Sequence, residues 1–293
     1  MGHAKFAAET FRNTKLPCMG KYVILDFLGS NIFRAANLDT GKEVICKVFH
    51  ITRYWESLAA YFQVPAHTNL NQIIDTVIGD TMAYVFFEYS YGDLHSCLRS
   101  LRKFREDEAA RLFHQIVSAV AHCHDNGVIM RDLKLKRFVF KDKDRSYLKL
   151  DTLEDAYLME QGVDSLPRKH GCPAYISPEV LEAESRSSGK ASDVWCLGVM
   201  LYTILVGHYP FNAIDLSSLL QKIKRCKFSL PDILSPKAKC LIHNILRPDP
   251  VERLTAREIL DHPWFSSNNW TGNMGGDISD KECCDQMAKP GSS

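Results

Sequence analysis

One segment of the chain constrains the fold more than any other. The 13 residues from Val194 to Val206 include no charged side chain. They are fewer than the roughly 20 apolar residues that a bilayer-spanning helix needs, so the sequence predicts no membrane partner. A helix that is apolar all round is typical of one buried on every side. The segment therefore predicts a sizeable helical domain packed around it.

Composition and charge exclude several classes of protein. Of the 293 residues, 45% are hydrophobic and 24% are charged, which excludes collagen-like, coiled-coil and wholly disordered chains. The formal net charge of +1 offers no basic surplus for the phosphate backbone, so we expect no direct binding to nucleic acid. Residues 1–6 lack the apolar core of a signal peptide, and we expect an intracellular protein.

The ten cysteines predict neither a disulfide framework nor a metal site. Their share of the chain is below that of disulfide scaffolds, and no two are spaced as Cys-x-x-Cys. His122, Cys123 and His124 are consecutive in a predicted helix, where adjacent side chains do not share a face. We interpret most of the cysteines as small buried side chains in a reducing compartment.

The sequence pattern changes near residue 92. Before it, Val44–Phe49 and Tyr84–Phe87 are short β-rich runs, and Asp39–Lys42 is suited to a hairpin turn. After it, apolar residues recur with the 3.6-residue period of a helix, which Asn126 and Gly127 then end. The pattern predicts an α+β protein with a small β-rich lobe and a larger helical lobe.

The predicted boundaries divide the chain into four parts. They are a flexible segment at 1–19, the β-rich lobe at 20–92, the helical lobe at 93–265 and a disordered tail at 266–293. The tail is rich in Ser, Asn, Gly, Asp and Lys, a composition that cannot bury enough apolar surface to fold.

Six sequence marks follow one another in the order in which protein kinases carry them. They are Val44–Lys47, Met130–Lys134, Gly171–Glu179, Asp193–Gly198, Pro210–Phe211 and Arg253. One lysine in a strand would mean little, but the ordered series predicts a bilobal, protein-kinase-like fold. In such a fold we expect Glu179 and Arg253 to form a buried ion pair that ties the activation segment to the helical lobe.

The groups that handle phosphate and metal in kinases are missing. Phosphoryl transfer uses a glycine-rich cover, a lysine, two magnesium ligands and a carboxylate that receives the hydroxyl proton. The cover is short here and keeps one glycine, Gly29. Arg137 stands where kinases place a metal-binding Asn, and Thr152, Leu153 and Glu154 replace the Asp-Phe-Gly motif. We therefore predict no metal site and no resident cofactor.

Two residues of the catalytic kind remain, Lys47 and Asp132. We expect Lys47 to pair with a carboxylate such as Glu56, and Asp132 to hold its loop by hydrogen bonds. Asp151 precedes the replaced metal motif, and alternation along a strand is expected to turn its side chain to the other face. With Gly29, the two retained residues allow weak ATP binding without magnesium.

The combination resembles the Tribbles family of pseudokinases. The likeness rests on six segments: Arg131–Lys134, Thr152–Ala156, Lys169–Tyr175, Cys46–Phe49, Glu88–Asp93 and Ile259–Phe265. The family has Ser where this chain has Thr152, which is a mild departure.

The resemblance implies an adaptor in the nucleus and cytoplasm. Tribbles proteins hold a client, such as a CCAAT/enhancer-binding transcription factor, near the activation segment. The residues implied for client binding are Thr152, Leu153, Glu154, Lys169, His170 and Gly171. The family also binds MAP kinase kinases, and the residues implied for that are Ile259, Leu260, His262, Pro263, Trp264 and Phe265.

The resemblance further implies that the tail recruits a ubiquitin ligase of the constitutive-photomorphogenesis type. The family's peptide reads Asp-Gln-x-Val-Pro followed by an acid. Asp285, Gln286, Met287 and Pro290 keep part of that pattern, but Ala-Lys-Pro replaces Val-Pro and no acid follows. A solvated polar tail without this role is the alternative.

Three hypotheses follow for the function. The first is a catalytically inactive scaffold for client degradation and MAP kinase signalling. The second is a slow, metal-independent serine/threonine kinase that uses Lys47 and Asp132. The third is an interaction domain whose tail has lost its function.

Overall fold

The computed structural model describes residues 17–154, 156–160, 162–167, 172–181 and 186–266. The predicted disordered tail lies outside the described residues, apart from Ser266. The predicted flexible segment does too, apart from its last residues. There Cys18–Met19 forms a strand that pairs antiparallel with Tyr22 and Val23.

The amino-terminal lobe is a six-stranded antiparallel sheet in the order β1-β2-β3-β4-β6-β5. Its strands are β1 (Cys18–Met19), β2 (Tyr22–Gly29), β3 (Ile32–Asn37), β4 (Glu43–His50), β5 (Ile73–Ile78) and β6 (Met82–Glu88). The predicted hairpin turn joins β3 to β4, where Gly41 has a positive φ of 67°. One helix, α1 (Tyr54–Gln63), buries Leu58, Ala60 and Tyr61.

The carboxy-terminal lobe is mainly helical. Its helices are α2 (Leu94–Leu101), α3 (Glu106–Asp125), α4 (Gly189–Val206), α5 (Leu216–Lys224), α6 (Pro236–Ile245), α7 (Ala256–Leu260) and α8 (Pro263–Ser266). Short antiparallel strands pair beside them: β7 (Val128–Ile129) with β10 (Tyr157–Leu158), β8 (Phe138–Phe140) with β9 (Leu148–Leu150), and β11 (Ser165–Pro167) with β12 (Arg186–Ser188).

The uncharged segment Val194–Val206 forms most of α4. The helix begins after Ser188, whose side chain caps it by accepting from the backbone N–H of Ala191. It ends at Gly207, in the left-handed conformation that favours glycine. By length and composition α4 would pass as a membrane span, but 78% of it is buried inside the protein. It is the central helix of the lobe, as its pattern predicts.

The two lobes share one hydrophobic core. Leu58, Val85 and Phe87 of the first lobe pack in the same cluster as Phe113 and Trp195 of the second. A sheet on one side and a bundle of helices on the other confirm the predicted bilobal, kinase-like α+β fold. The cleft between the lobes holds Lys47 and the segment Thr152–Glu154 that replaces the metal motif.

Candidate functional site: the cleft between the lobes

The hairpin over the cleft is too short to cover phosphate. Ser30 and Asn31 have positive φ values of 46° and 62°, as in the two-residue turns that favour Asn and Gly. They join β2 directly to β3, so the backbone turns back at Gly29 without forming a loop. Phe27 and Leu28 beside it are exposed, apolar side chains. The tip is therefore a tight two-residue turn and not the glycine-rich loop that covers phosphate in kinases.

Lys47 on β4 is buried against the replaced metal motif. Its side chain is 7% exposed, and its ammonium donates to Glu154 Oε1 at 2.7 Å. The ammonium also lies 3.7 Å from Asp151 Oδ2 and 5.0 Å from the centre of the Phe87 ring. The expected pairing with Glu56 is wrong, because Glu56 lies on an exposed face of α1. Sequence separation alone could not reveal a partner 107 residues away.

The segment Thr152–Glu154 folds back on itself. The Thr152 hydroxyl donates to Glu154 Oε1 at 2.8 Å, and the Glu154 backbone N–H donates to the Thr152 hydroxyl at 3.2 Å. Leu153 is buried, and its N–H donates to the Tyr61 hydroxyl of α1 at 3.1 Å. These bonds aim the Glu154 carboxylate at Lys47.

Asp151 points into the cleft, which contradicts the sequence expectation. Strand β9 ends at Leu150, so strand alternation does not decide where the next side chain points. The Asp151 backbone N–H donates to the Arg137 carbonyl at 2.8 Å, and Asn71 Nδ2 donates to Asp151 Oδ1 at 3.2 Å. The two bonds place its carboxylate beside Lys47.

Asp132 is held by two cations of its own loop. Its Oδ2 accepts from Lys134 Nζ at 2.7 Å and from Arg137 Nη2 at 2.9 Å. Burial tends to raise the pKa of this carboxyl, but the two hydrogen bonds outweigh it and hold the pKa below the usual range. A carboxylate whose pKa is lowered is a poorer acceptor for a substrate proton. Arg137 thus occupies the metal-ligand position and also binds the residue that would act as the base.

Asp193 of α4 holds the loop that carries Asp132 by accepting hydrogen bonds from its backbone. The buried Asp193 carboxylate accepts from the backbone N–H groups of Met130 at 2.7 Å and Arg131 at 3.0 Å. It also bonds His124 Nε2 at 3.0 Å. No role for Asp193 was predicted from the sequence. The available signal was its position as a lone carboxylate directly before the uncharged run at 194–206.

Lys141 is a second residue that sequence reasoning missed. Its ammonium donates to the carbonyl oxygens of Glu88 at 2.8 Å and Tyr89 at 3.3 Å, at the start of the segment that joins the lobes. Burial lowers the pKa of Lys141 to about 8. Two backbone acceptors of the connecting segment are therefore already engaged.

The residues present do not fit the magnesium ion that a kinase fold implies. Magnesium binds oxygen ligands in near-octahedral geometry. At the two ligand positions stand a guanidinium, Arg137, and a hydroxyl, Thr152, which donates its proton to Glu154. Glu154 and Asp151 supply the negative charge around Lys47. In the part of the chain that the structure describes, no three His, Cys, Asp or Glu side chains group closely enough to hold a metal.

The predicted ion pair in the helical lobe is present. Arg253 donates from Nη1 to Glu179 Oε1 at 2.8 Å and from Nη2 to Glu179 Oε2 at 2.6 Å. The Arg253 side chain is 1% exposed and also donates to the Ala191 and Pro248 carbonyls. Burial tends to raise the pKa of Glu179, but Arg253 outweighs it and the pKa is lowered.

The residues implied for binding MAP kinase kinases lie mostly in the core. Ile259, His262, Trp264 and Phe265 are buried, and only Leu260 and Pro263 are partly exposed. Trp264 Nε1 donates to Glu106 Oε2 at 3.1 Å, which fixes α8 to the start of α3. These side chains therefore have a packing role, and their docking role stays a prediction.

Other implied residues lie outside the described residues. They are Lys169, His170 and Gly171 of the client-binding set, and Asp285, Gln286, Met287 and Pro290 of the tail. The remaining client-binding residues, Thr152 to Glu154, form the folded segment already described.

The sequence is similar to known proteins that have a kinase domain. Residues 29–265 match the family model described as "Protein kinase domain". The chain is 58% identical to Tribbles homolog 2 of Mus musculus over 271 residues, which are 92% of this chain and 78% of that protein. It is 54% identical to Tribbles homolog 1 of Homo sapiens over 237 residues, covering 81% of this chain and 64% of that protein. It is 44% identical to Tribbles homolog 3 of Mus musculus over 274 residues, covering 93% and 77%. With a degenerate kinase cleft and relatives at these identities, the chain belongs to the Tribbles family of pseudokinases.

Proposed function

We propose that this protein is a catalytically inactive adaptor that brings a client protein to a ubiquitin ligase. The observation that carries the proposal is the state of the two retained catalytic residues. Lys47 is engaged by Glu154, and Asp132 is engaged by Lys134 and Arg137. Both are satisfied inside the protein, so the cleft is built to be stable without a substrate.

The cleft gives no support to efficient phosphoryl transfer. Catalysis requires groups that stabilise the transferred phosphoryl in the transition state. The Lys47 ammonium is already engaged by Glu154, and the hairpin at Gly29 is a two-residue turn in place of a glycine-rich cover. We propose that ATP binds weakly at most, without magnesium, and that the protein has no resident cofactor.

The partners in this proposal come from the family resemblance. The client, a transcription factor such as a CCAAT/enhancer-binding protein, binds near Thr152–Glu154 and 169–171. The ligase, of the constitutive-photomorphogenesis type, binds the tail around Asp285, Gln286, Met287 and Pro290. The adaptor acts in the nucleus and cytoplasm.

The proposed binding of MAP kinase kinases needs a surface near α7 and α8. Because Ile259, Trp264 and Phe265 are buried, a partner would contact the exposed edge of this region, at Leu260 and Pro263, and not the aromatic side chains. Leu260 is partly exposed but also packs against the core, so Leu260→Asp is expected to lower the melting temperature. We expect it to weaken binding of a MAP kinase kinase also at temperatures where the variant remains folded.

The adaptor role is tested by a pull-down with purified ligase substrate-reading domain. The full chain is compared with a chain that ends at residue 266, and a synthetic peptide of residues 280–293 is the second probe. The proposal expects binding by the full chain and by the peptide, and none by the shortened chain. Failure of the peptide to bind at high micromolar concentration would instead favour an interaction domain without ligase recruitment.

The rival reading as a slow kinase is tested separately. Release of phosphate from radiolabelled ATP is measured for the parent and for Asp132→Asn, which removes the carboxylate base. The adaptor proposal expects the two rates to be equal to the background rate. A parent rate above background that Asp132→Asn abolishes would establish the kinase and overturn the claim of inactivity.

A further inference from the structure

We propose that a basic groove on the helical lobe binds an acidic peptide segment of a partner protein. The groove runs between α2 with its following loop and the carboxyl end of α4, and encloses about 830 Å³. Its basic and imidazole side chains are His95, Arg99, Arg102, Lys103 and His208. None of the described residues that line it is an aspartate or a glutamate.

The three permanent cations of the groove have no carboxylate partner among the described residues. Arg99, Arg102 and Lys103 are all exposed. The contrast lies just beyond the groove along the chain, where Arg105 pairs with Asp107 at 3.1 Å and Arg111 approaches Asp107 at 3.9 Å. Surface cations next to a carboxylate pair with it, whereas those in the groove stand together unneutralised. Such a patch of one sign attracts the opposite charge from a partner.

The floor of the groove is a close contact between two backbones. Gly207, which ends α4, has a φ of 90°, and a Cβ added there would lie 2.6 Å from the Arg102 carbonyl oxygen. Arg102 itself has a positive φ of 73°, which is unusual for a residue with a side chain. The Phe104 N–H donates to the Ile204 carbonyl at 3.0 Å and holds the loop in place. The cations are thus presented from a fixed backbone, and backbone strain of this kind occurs at functional sites.

The lining favours a peptide over a nucleic acid. Between the cations lie the apolar side chains of Leu101, which is exposed, and Val206, which is partly exposed. A peptide that mixes carboxylates with aliphatic residues covers both kinds of surface. A phosphate backbone carries no apolar group for these side chains, and the chain as a whole has a net charge of only +1.

The test uses a fluorescein-labelled peptide of alternating glutamate and leucine, titrated with the full chain by fluorescence anisotropy. The double variant Arg99→Glu/Lys103→Glu reverses two cations of the groove. The matched control, Lys143→Glu/Lys224→Glu, makes the same change in net charge at two exposed lysines elsewhere. We expect the groove variant to bind at least about tenfold more weakly, because like charges then face each other, and the control to stay within about twofold of the parent.

Two further measurements keep the result decisive. Melting temperatures show whether the variants fold. If Arg99→Glu/Lys103→Glu unfolds the protein, the neutral variant Arg99→Gln/Lys103→Gln is used in its place. Amide shifts of Lys103 and Gly207 on adding the peptide are expected to exceed those of residues outside the groove. Equal losses in the groove variant and the control would overturn the proposal. So would tighter binding of a single-stranded oligonucleotide than of the peptide.

Discussion

The protein has two clusters of oppositely charged side chains, one in the cleft and one in the helical lobe. They use the same kinds of side chain but differ in burial and in the number of hydrogen bonds. In the lobe, Arg253 and Glu179 form a doubly hydrogen-bonded pair with exposed fractions of 1% and 10%. In the cleft, Lys47 and Glu154 share a single contact, and Glu154 is 26% exposed. The lobe pair is also tied to three backbone carbonyls, whereas Glu154 is tied to Thr152 within its own turn.

The lobe pair stabilises the fold, whereas the cleft pairs involve residues that act in catalysis in kinases. The pair in the lobe holds the fold together and does not depend on nucleotide or metal. The cleft pairs use residues of the catalytic kind, Lys47 and Asp132, and replace their missing ligands with side chains of the chain itself. The protein thus has the kinase scaffold, but the charged side chains of its cleft pair with one another.

The largest effect is expected from breaking the lobe pair. Arg253→Ala leaves Glu179 buried without its partner, and we expect the free energy of unfolding to fall by about 3–5 kcal/mol. The matched control is Arg257→Ala, which removes a surface pair with Asp125 in which Arg257 is 65% exposed. We expect the control to cost less than about 1 kcal/mol in denaturant titrations. Equal losses would remove the distinction between the two kinds of pair.

The second effect is a loss of stability at low pH, when the buried His262 becomes protonated. Burial, with a smaller contribution from the charge of Lys237, lowers the pKa of His262 from 6.5 to about 4. A folded-state pKa below the unfolded value means that stability is complete above pH 6.5 and is lost as the pH falls towards 4. The loss amounts to about 3 kcal/mol.

His262→Gln tests this by flattening the pH dependence of the free energy of unfolding between pH 6.5 and 4. His50→Gln is the control, because His50 is exposed, and it is expected to keep the parent's slope. A parent-like slope in His262→Gln would show that other groups cause the acid sensitivity.

A smaller effect is expected in the cleft. A double-mutant cycle with Lys47→Ala and Glu154→Ala should give a coupling of about 1–2 kcal/mol, because Lys47 is buried and the contact is short. The comparison pair is Lys149 and Glu88, which meet at 2.8 Å, close to the 2.7 Å of the cleft pair, but with Glu88 49% exposed. That pair is expected to couple by about 0.5 kcal/mol or less. A cleft coupling no larger than this would mean that Glu154 does not hold Lys47.

Magnesium is expected to have no effect on ATP binding, which makes this the smallest effect. Since we expect Arg137 and Thr152 to stand at the metal-ligand positions, any rise in melting temperature with ATP should be the same in magnesium and in EDTA. Lys47→Ala should abolish the rise, because we propose Lys47 as the phosphate contact. Magnesium without ATP is the control for effects of the ion alone. A clearly larger rise with magnesium would show that the cleft still binds the metal and would favour the slow-kinase reading.

The sequence predicted the fold better than it predicted contacts across the fold. The uncharged run of α4 and the ordered kinase marks were sufficient for the two lobes, because periodicity and motif order are properties of the chain. The pairing of Glu179 with Arg253 could be expected from the kinase-like fold that the ordered marks predict. Glu154 as the partner of Lys47 could not, since the contact forms only when β4 and the end of β9 meet in the folded cleft.

One other expectation failed for a local reason. Strand alternation gave the wrong direction for Asp151, because the strand stops one residue earlier and a hydrogen bond from Asn71 holds the side chain. The docking role that the resemblance implies for Trp264 and Phe265 stays a prediction, and the sequence did not show that these side chains fill the core beside α3. In both places the contact with a neighbouring element determines where the side chain lies.

The most direct test of the account is the affinity for ATP of Glu154→Gln, measured by calorimetry in EDTA. If Glu154 holds Lys47 away from phosphate, removing its charge frees the lysine, and ATP should bind about threefold to tenfold more tightly than to the parent. Lys47→Ala in the same background should cancel the gain. Unchanged or weaker binding by Glu154→Gln would contradict the claim that the cleft is closed by its own charges.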